Sequence, residues 1–170
     1  MKLNSKRLAL TGILLSFSLI IGTIENYLPP ILPGLPFVKI GFSNVVITFA
    51  LLTCGLVPTL IIGVFKSVLV PLFVGNPMMI AFSLTATVIC ILISYLLIKT
   101  KKIGIITIGI SSAILHNLIQ LCIASLIMTD STVFGFLPYL AITGFLAGLV
   151  TGLINYLLIK FLPKELLGLN

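Results

Sequence analysis

The chain alternates long apolar runs with short clusters of charge, proline or glycine. A helix that crosses the hydrocarbon of a bilayer needs roughly 17–25 mostly apolar residues. The first uncharged run, Leu8–Ile24, has that length and predicts a helix over about 8–25. Next comes "ENYLPPILPGLPFVK" (25–39), with four prolines. Proline removes a backbone donor and clashes with the preceding turn, so 25–40 reads as a stiff external loop. From Ile40 to Ile98 the only charge is Lys66. "CGLVP" (54–58) and "VGNP" (74–77) interrupt this stretch with turn residues and divide it into spans at about 41–56, 57–73 and 77–98. "KTKK" (99–102) ends the third of these. A fifth span follows at about 103–129, a loop at Asp130, and a sixth span at about 136–161.

Composition supports that pattern. Of 170 residues 59% are hydrophobic and 8% charged, whereas a soluble domain carries about a quarter charged residues. The fold class expected is an all-α integral membrane bundle of six helices, a single domain over 1–170. Positive residues set its orientation. With the N-terminus inside, Lys2, Lys6, Arg7, Lys99, Lys101, Lys102, Lys160 and Lys164 face the cytoplasm. Lys39, Glu25 and Asp130 then lie outside. Both termini are expected to be cytoplasmic, in a multi-pass protein of the cell membrane. The net charge of +7 does not signal nucleic acid, because the basic residues collect at the ends of apolar runs. The start lacks an A-x-A-like cleavage site and reads as an uncleaved first span. Cys54, Cys90 and Cys122 have no metal-ligand spacing and read as packing residues. No metal and no cofactor is expected.

Polar side chains inside the spans carry the chemistry. "ILHNLIQL" (114–121) holds the single histidine. Ser112, His116 and Gln120 are spaced i, i+4, i+8 and form one stripe on a helix, with Asn117 turned further round. Unpaired polar groups in hydrocarbon cost several kcal/mol, so the stripe must face the protein interior. Interhelical hydrogen bonds contribute only about 0.6 kcal/mol each on average, too little to explain three large polar side chains by adhesion alone. A ligand cavity is the stronger reading. Lys66, the only charge within a span, either snorkels outward or enters that cavity. "GVFKS" (63–67) does not make a P-loop, since Phe65 stands where glycine belongs. Glu25 closes the first helix, and Lys39 and Asn44 open the second. These groups are expected to share one outward-facing cavity with the proline-rich loop as its lid. Two cations against one acid favour an anionic or zwitterionic small molecule.

Small residues recur at four-residue spacing in "GFLAGLVTGL", as Gly144, Gly148 and Gly152, and in the first helix as Gly12 with Ser16 and Ser18 with Gly22. Such spacing lets two backbones approach closely, either within the bundle or against another membrane subunit.

The ordered set "IEN" (24–26), "VKIGFSNVV" (38–46), "FKSVL" (65–69), "AFSLTATV" (81–88), "HNLIQ" (116–120) and "LPYL" through "TG" (137–144) resembles the Gx transporter family. That family is also labelled heptaprenyl diphosphate synthase component I and is related to the substrate-binding S components of energy-coupling factor transporters. The resemblance implies an S-component-like bundle that captures a micronutrient-like solute under the loop between its first two helices. It also implies docking, through small residues of the first helix, on a transmembrane coupling subunit joined to cytoplasmic ATPases. Glu25, Lys39, Asn44, Lys66, Ser83, His116, Asn117 and Gln120 match the family's polar motif positions. Two positions depart from the family pattern. Lys66 stands where arginine is favoured, so a two-pronged grip on an anion is lost. Ala9 is followed four residues later by Ile13, which leaves the docking signature incomplete.

The expected function is therefore a transporter's substrate-binding subunit. The alternatives are a non-catalytic accessory component linked to prenyl diphosphate or quinone metabolism, and a structural subunit of a membrane assembly. A catalytic prenyl diphosphate synthase would need clustered carboxylates for magnesium. Glu25, Asp130 and Glu165 are far apart in sequence, so no enzyme is expected.

Overall fold

The computed structural model describes residues 5–28 and 41–162. They form α1 (Ser5–Tyr27), α2 (Ser43–Thr53), α3 (Leu56–Phe73), α4 (Met79–Lys99), α5 (Ile105–Met128), a 3-10 turn (Ser131–Phe136) and α6 (Leu137–Phe161). No strand occurs among the described residues. The helix of α1 continues through Tyr27, so the expected loop starts later than Glu25; residues 29–40 lie outside the described residues. Among the described residues five helices are long and apolar enough to cross a membrane: α1, α3, α4, α5, and α6 with the turn that leads into it.

α2 is the exception. The expected span of about 41–56 contracts to 11 residues, about 16 Å at 1.5 Å per residue, against a hydrocarbon core of about 30 Å. Backbone conformation sets both limits. Gly41 and Gly55 take φ of +83° and +86°, left-handed values that end a helix and that glycine tolerates best. Pro58 falls in the first turn of α3, where its missing N–H costs nothing. The remaining helices surround α2: α1 packs on α3, α3 on α4, α4 on α5 and α5 on α6, and α2 touches all five. Eight of its 11 residues are accordingly buried.

The short helix creates space. Asn44, in the first turn of α2, meets Lys66 of α3, which lies seven residues before Phe73 at that helix's end. α2 therefore begins about 10 Å short of that end, and the surrounding helices enclose a gap above it.

Polarity is inverted relative to a soluble protein. Thr59, Ser67 and Asn155 are fully buried, while Leu126 is 78% and Ile142 63% exposed. So continuous an apolar exterior suits lipid rather than water. The apolar core divides into a cluster around Ile47, Ala50, Leu51, Ile62 and Ile91 and another around Phe82, Leu121, Val133 and Leu140. Along α4 the polar Ser83 and Thr87 fall between them.

α5 and α6 meet backbone to backbone. A Cβ on Gly148 would stand 2.5 Å from Ile110 Cα, one on Gly152 2.7 Å from the Ile106 carbonyl oxygen, and one on Gly144 3.0 Å from Asn117 Nδ2. Gly109 supplies the matching gap on α5, facing Gly148 and Gly152. Gly12 and Ser16 are placed differently: both are exposed, and nothing in the bundle lies within 4 Å of a Cβ on Gly12. The inward face of α1 carries Ser18, fully buried, and Gly22, against Val70 and the Lys66 stem. Asp130 caps the 3-10 turn by accepting from the Thr132 hydroxyl at 2.7 Å and the Thr132 N–H at 2.8 Å. These bonds, the hydroxyl's first, hold its carboxyl below its usual range.

Candidate functional site

The gap above α2 is a cavity of about 70 Å³ to which all six helices contribute. Its polar wall includes Glu25, Asn44, Lys66, Ser83, His116, Asn117 and Gln120. Of the nine candidate ligand residues, these seven converge. Ser112 does not reach the cavity; it lines a second chamber of about 10 Å³ deeper along α5. Lys39 lies outside the described residues, as does the expected lid.

Convergence is not equivalence, because some of these groups are already engaged. The Glu25 carboxylate sits at the N-terminus of α2. It accepts from the Gly41 N–H, from the Phe42 and Ser43 N–H groups at 3.3 Å each, and from the Ser43 hydroxyl at 3.4 Å. The first turn of a helix leaves its amides unpaired, and its dipole favours a negative charge there. α2 has no cap from its own sequence, so Glu25 of the neighbouring helix serves as one. The expected result for Glu25→Gln is a loss of about 1 kcal/mol of stability, the usual cost of a removed cap, read as a lower thermal midpoint in detergent. An unchanged midpoint would mean that α2 does not depend on this carboxylate.

Asn117 is likewise engaged. It is 7% exposed and donates to the Leu140 carbonyl at 3.1 Å, which ties α5 to α6 beside Gly144. The Lys66 ammonium donates to Asn44 Oδ1 at 3.2 Å, with its stem against Gly22. It points into the bundle and is 7% exposed, so it does not snorkel. The Ser83 carbonyl accepts from the Ser67 hydroxyl at 3.3 Å.

His116 and Gln120 differ from these. Both line the cavity, and neither side chain has a hydrogen-bond partner among the described residues. Gln120 is 6% exposed. Gln120 and the partly exposed His116 stand one helical turn apart on the cavity wall. The Lys66 charge lies on the same wall.

Ser43, Asn26, Thr48, Thr87 and Ser94 also belong to the polar lining of the two cavities and were not singled out from the sequence. The signal for two of them was there: Asn44 with Thr48, and Ser83 with Thr87, are i, i+4 pairs like the stripe on α5.

No curated protein and no solved structure matches the chain. A family described as heptaprenyl diphosphate synthase component I matches residues 14–158, a stretch that takes in α2 to α5 whole and most of α1 and α6. With five long apolar helices and a sixth, shorter one, this multi-pass membrane protein belongs to the heptaprenyl diphosphate synthase component I family.

Proposed function

We propose that the chain is the solute-binding membrane subunit of a transporter, similar to the S components of energy-coupling factor systems. It would capture a small anionic or zwitterionic, micronutrient-like solute from outside. The observation that carries this reading is a pair of side chains without a hydrogen-bond partner among the described residues, His116 and Gln120, on a cavity wall that also bears Lys66. Adhesion between helices does not require them, since Asn117 and the glycines of α6 already join α5 to its neighbour. The cavity has room for about five waters at 10–15 Å³ each, which suits a compact solute. In the proposed topology the chain has six membrane helices with both termini cytoplasmic, and the cavity end faces outward. The positive residues at the other end support this orientation.

The chain has no Walker motif, so uptake would need a transmembrane coupling subunit with cytoplasmic ATPases, or an ion gradient. The exposed Gly12 and Ser16 on α1 are the proposed docking residues. The family's description favours a second reading, a non-catalytic accessory component linked to prenyl diphosphate metabolism. In that role the same cavity end would meet a diphosphate headgroup.

Native mass spectrometry of the detergent-purified protein separates the two. A retained compact anion, with coupling and ATPase subunits, supports the transporter reading. A retained prenyl lipid in place of these overturns it. Once a ligand is known, Lys66→Gln should weaken an anionic form about tenfold or more, in keeping with about 1.5–3 kcal/mol for a hydrogen bond to a charged group. A neutral analogue should be nearly unaffected. Equal losses in a binding titration would count against the charge on Lys66 as the selecting feature.

A further inference from the structure

The second chamber, beneath His116, is lined by Asn44, Thr48, Thr87, Ser94, Ser112 and His116 among others. His116 and Asn44 border both spaces, so together they form the partition between them. We infer that this lower chamber is a binding site for a single resident water, held by the Thr87 hydroxyl and one ring nitrogen of His116. This leaves the other ring nitrogen to face the upper cavity.

Thr87 is the key residue. It is 2% exposed, and its hydroxyl is sealed from solvent with no partner among the described residues. Thr151 bonds Gly148, three residues earlier, and three other threonines return their hydroxyl to the carbonyl four residues earlier: Thr11 to Arg7, Thr53 to Phe49 and Thr59 to Gly55, at 2.7–2.8 Å. For Thr87 that carbonyl belongs to Ser83, and it accepts from the Ser67 hydroxyl instead. The Thr87 methyl is directed at Gly63 on α3, where an added Cβ would come within 3.0 Å of it. Thr87 is also among the residues that line the chamber. A buried hydroxyl without a partner is destabilising, because its hydration is lost and nothing replaces it. In a polar pocket a water relieves that cost.

The size and chemistry of the chamber select the ligand. At about 10 Å³ it has room for about one water, which needs two to four polar partners. Thr87, His116 and the hydroxyls of Thr48 and Ser112 are at hand. No carboxylate lines it, and the Lys66 ammonium sits on Asn44 at its upper edge. Both facts disfavour a cation. The hydrogen bond made by one imidazole nitrogen sets which nitrogen carries the proton, so the water determines what His116 offers above. This deepens the proposed function, resting on it for the meaning of the upper cavity, while the test below requires no solute.

The chain has one histidine, so protein labelled with ¹⁵N-histidine and purified without a histidine tag reports on His116 alone. In solute-free wild type the expected spectrum shows one dominant neutral tautomer, with cross-relaxation from a long-lived water to the ring protons. Thr87→Val, which keeps the shape and removes the hydroxyl, should abolish the water signal. It should also shift the tautomer ratio about fivefold, the weight of one typical hydrogen bond. Thr87→Ser should preserve both features. A wild type without the long-lived water signal overturns the inference whatever the variants do, as does a Thr87→Val spectrum identical to wild type. A spectrum that changes when sodium is replaced by choline overturns it in favour of a cation. Each of these failures concerns the lower chamber and leaves the solute reading standing.

Discussion

Gly148→Val is expected to force α5 and α6 apart and to cost the bundle about 3 kcal/mol, the upper part of the range for overpacking. The neighbour that a new side chain would meet is backbone, Ile110 Cα at 2.5 Å and the Gly109 carbonyl oxygen at 2.9 Å, so no rotamer change relieves the clash. Lipid offers no hydrophobic drive for helix association, which leaves close packing to supply it. The α5–α6 seam is the most extensive among the described helices, and widening it also strains the Asn117 bond to Leu140. Gly12→Val is the matched control. It makes the same chemical change in a helix, at a site where a Cβ has nothing within 4 Å, and should be neutral to a few tenths of a kcal/mol. Unfolding of both variants in mixed detergent micelles checks the pair. Equal midpoints would show that the glycine seam does not hold the bundle together.

His116→Leu is expected to leave the bundle folded and to reduce solute binding about 100-fold, the equivalent of removing one or two hydrogen bonds to a charged or polar guest. Leucine is well tolerated in an apolar bundle, and His116 makes no internal hydrogen bond among the described residues that its removal would orphan. Stability should therefore hold or rise while binding fails. The measurement is a titration with the ligand that native mass spectrometry identifies, beside a thermal melt of the same preparation. Undiminished affinity in the variant would remove His116 from the site. A folding defect in its place would make the stripe on α5 structural.

The membrane character of the chain, its helices and the stripe on α5 were legible from residue order. Hydrophobicity accumulates over about 20 neighbouring positions, so each long helix announces itself locally. Lys66 and the run "ILHNLIQL" stood out because polar groups are costly in such surroundings. The spacing of Gly144, Gly148 and Gly152 was equally visible, but it was equally consistent with a seam inside the bundle or a face for a partner.

Proximity between helices is where residue order was silent. Glu25 read as a ligand beside the membrane surface; the N-terminus of α2 lies against it and takes up its carboxylate. Asn117, one step off the stripe, spends its amide on Leu140, and Ser112, one turn beyond His116, borders a different chamber. The inset start of α2, which makes the cavity, depends on two glycine dihedrals and on the five helices packed around it. A polar side chain's worth to a ligand depends on which neighbours have already satisfied it. Those neighbours come from helices dozens of residues away, at separations that no local pattern of hydrophobicity records.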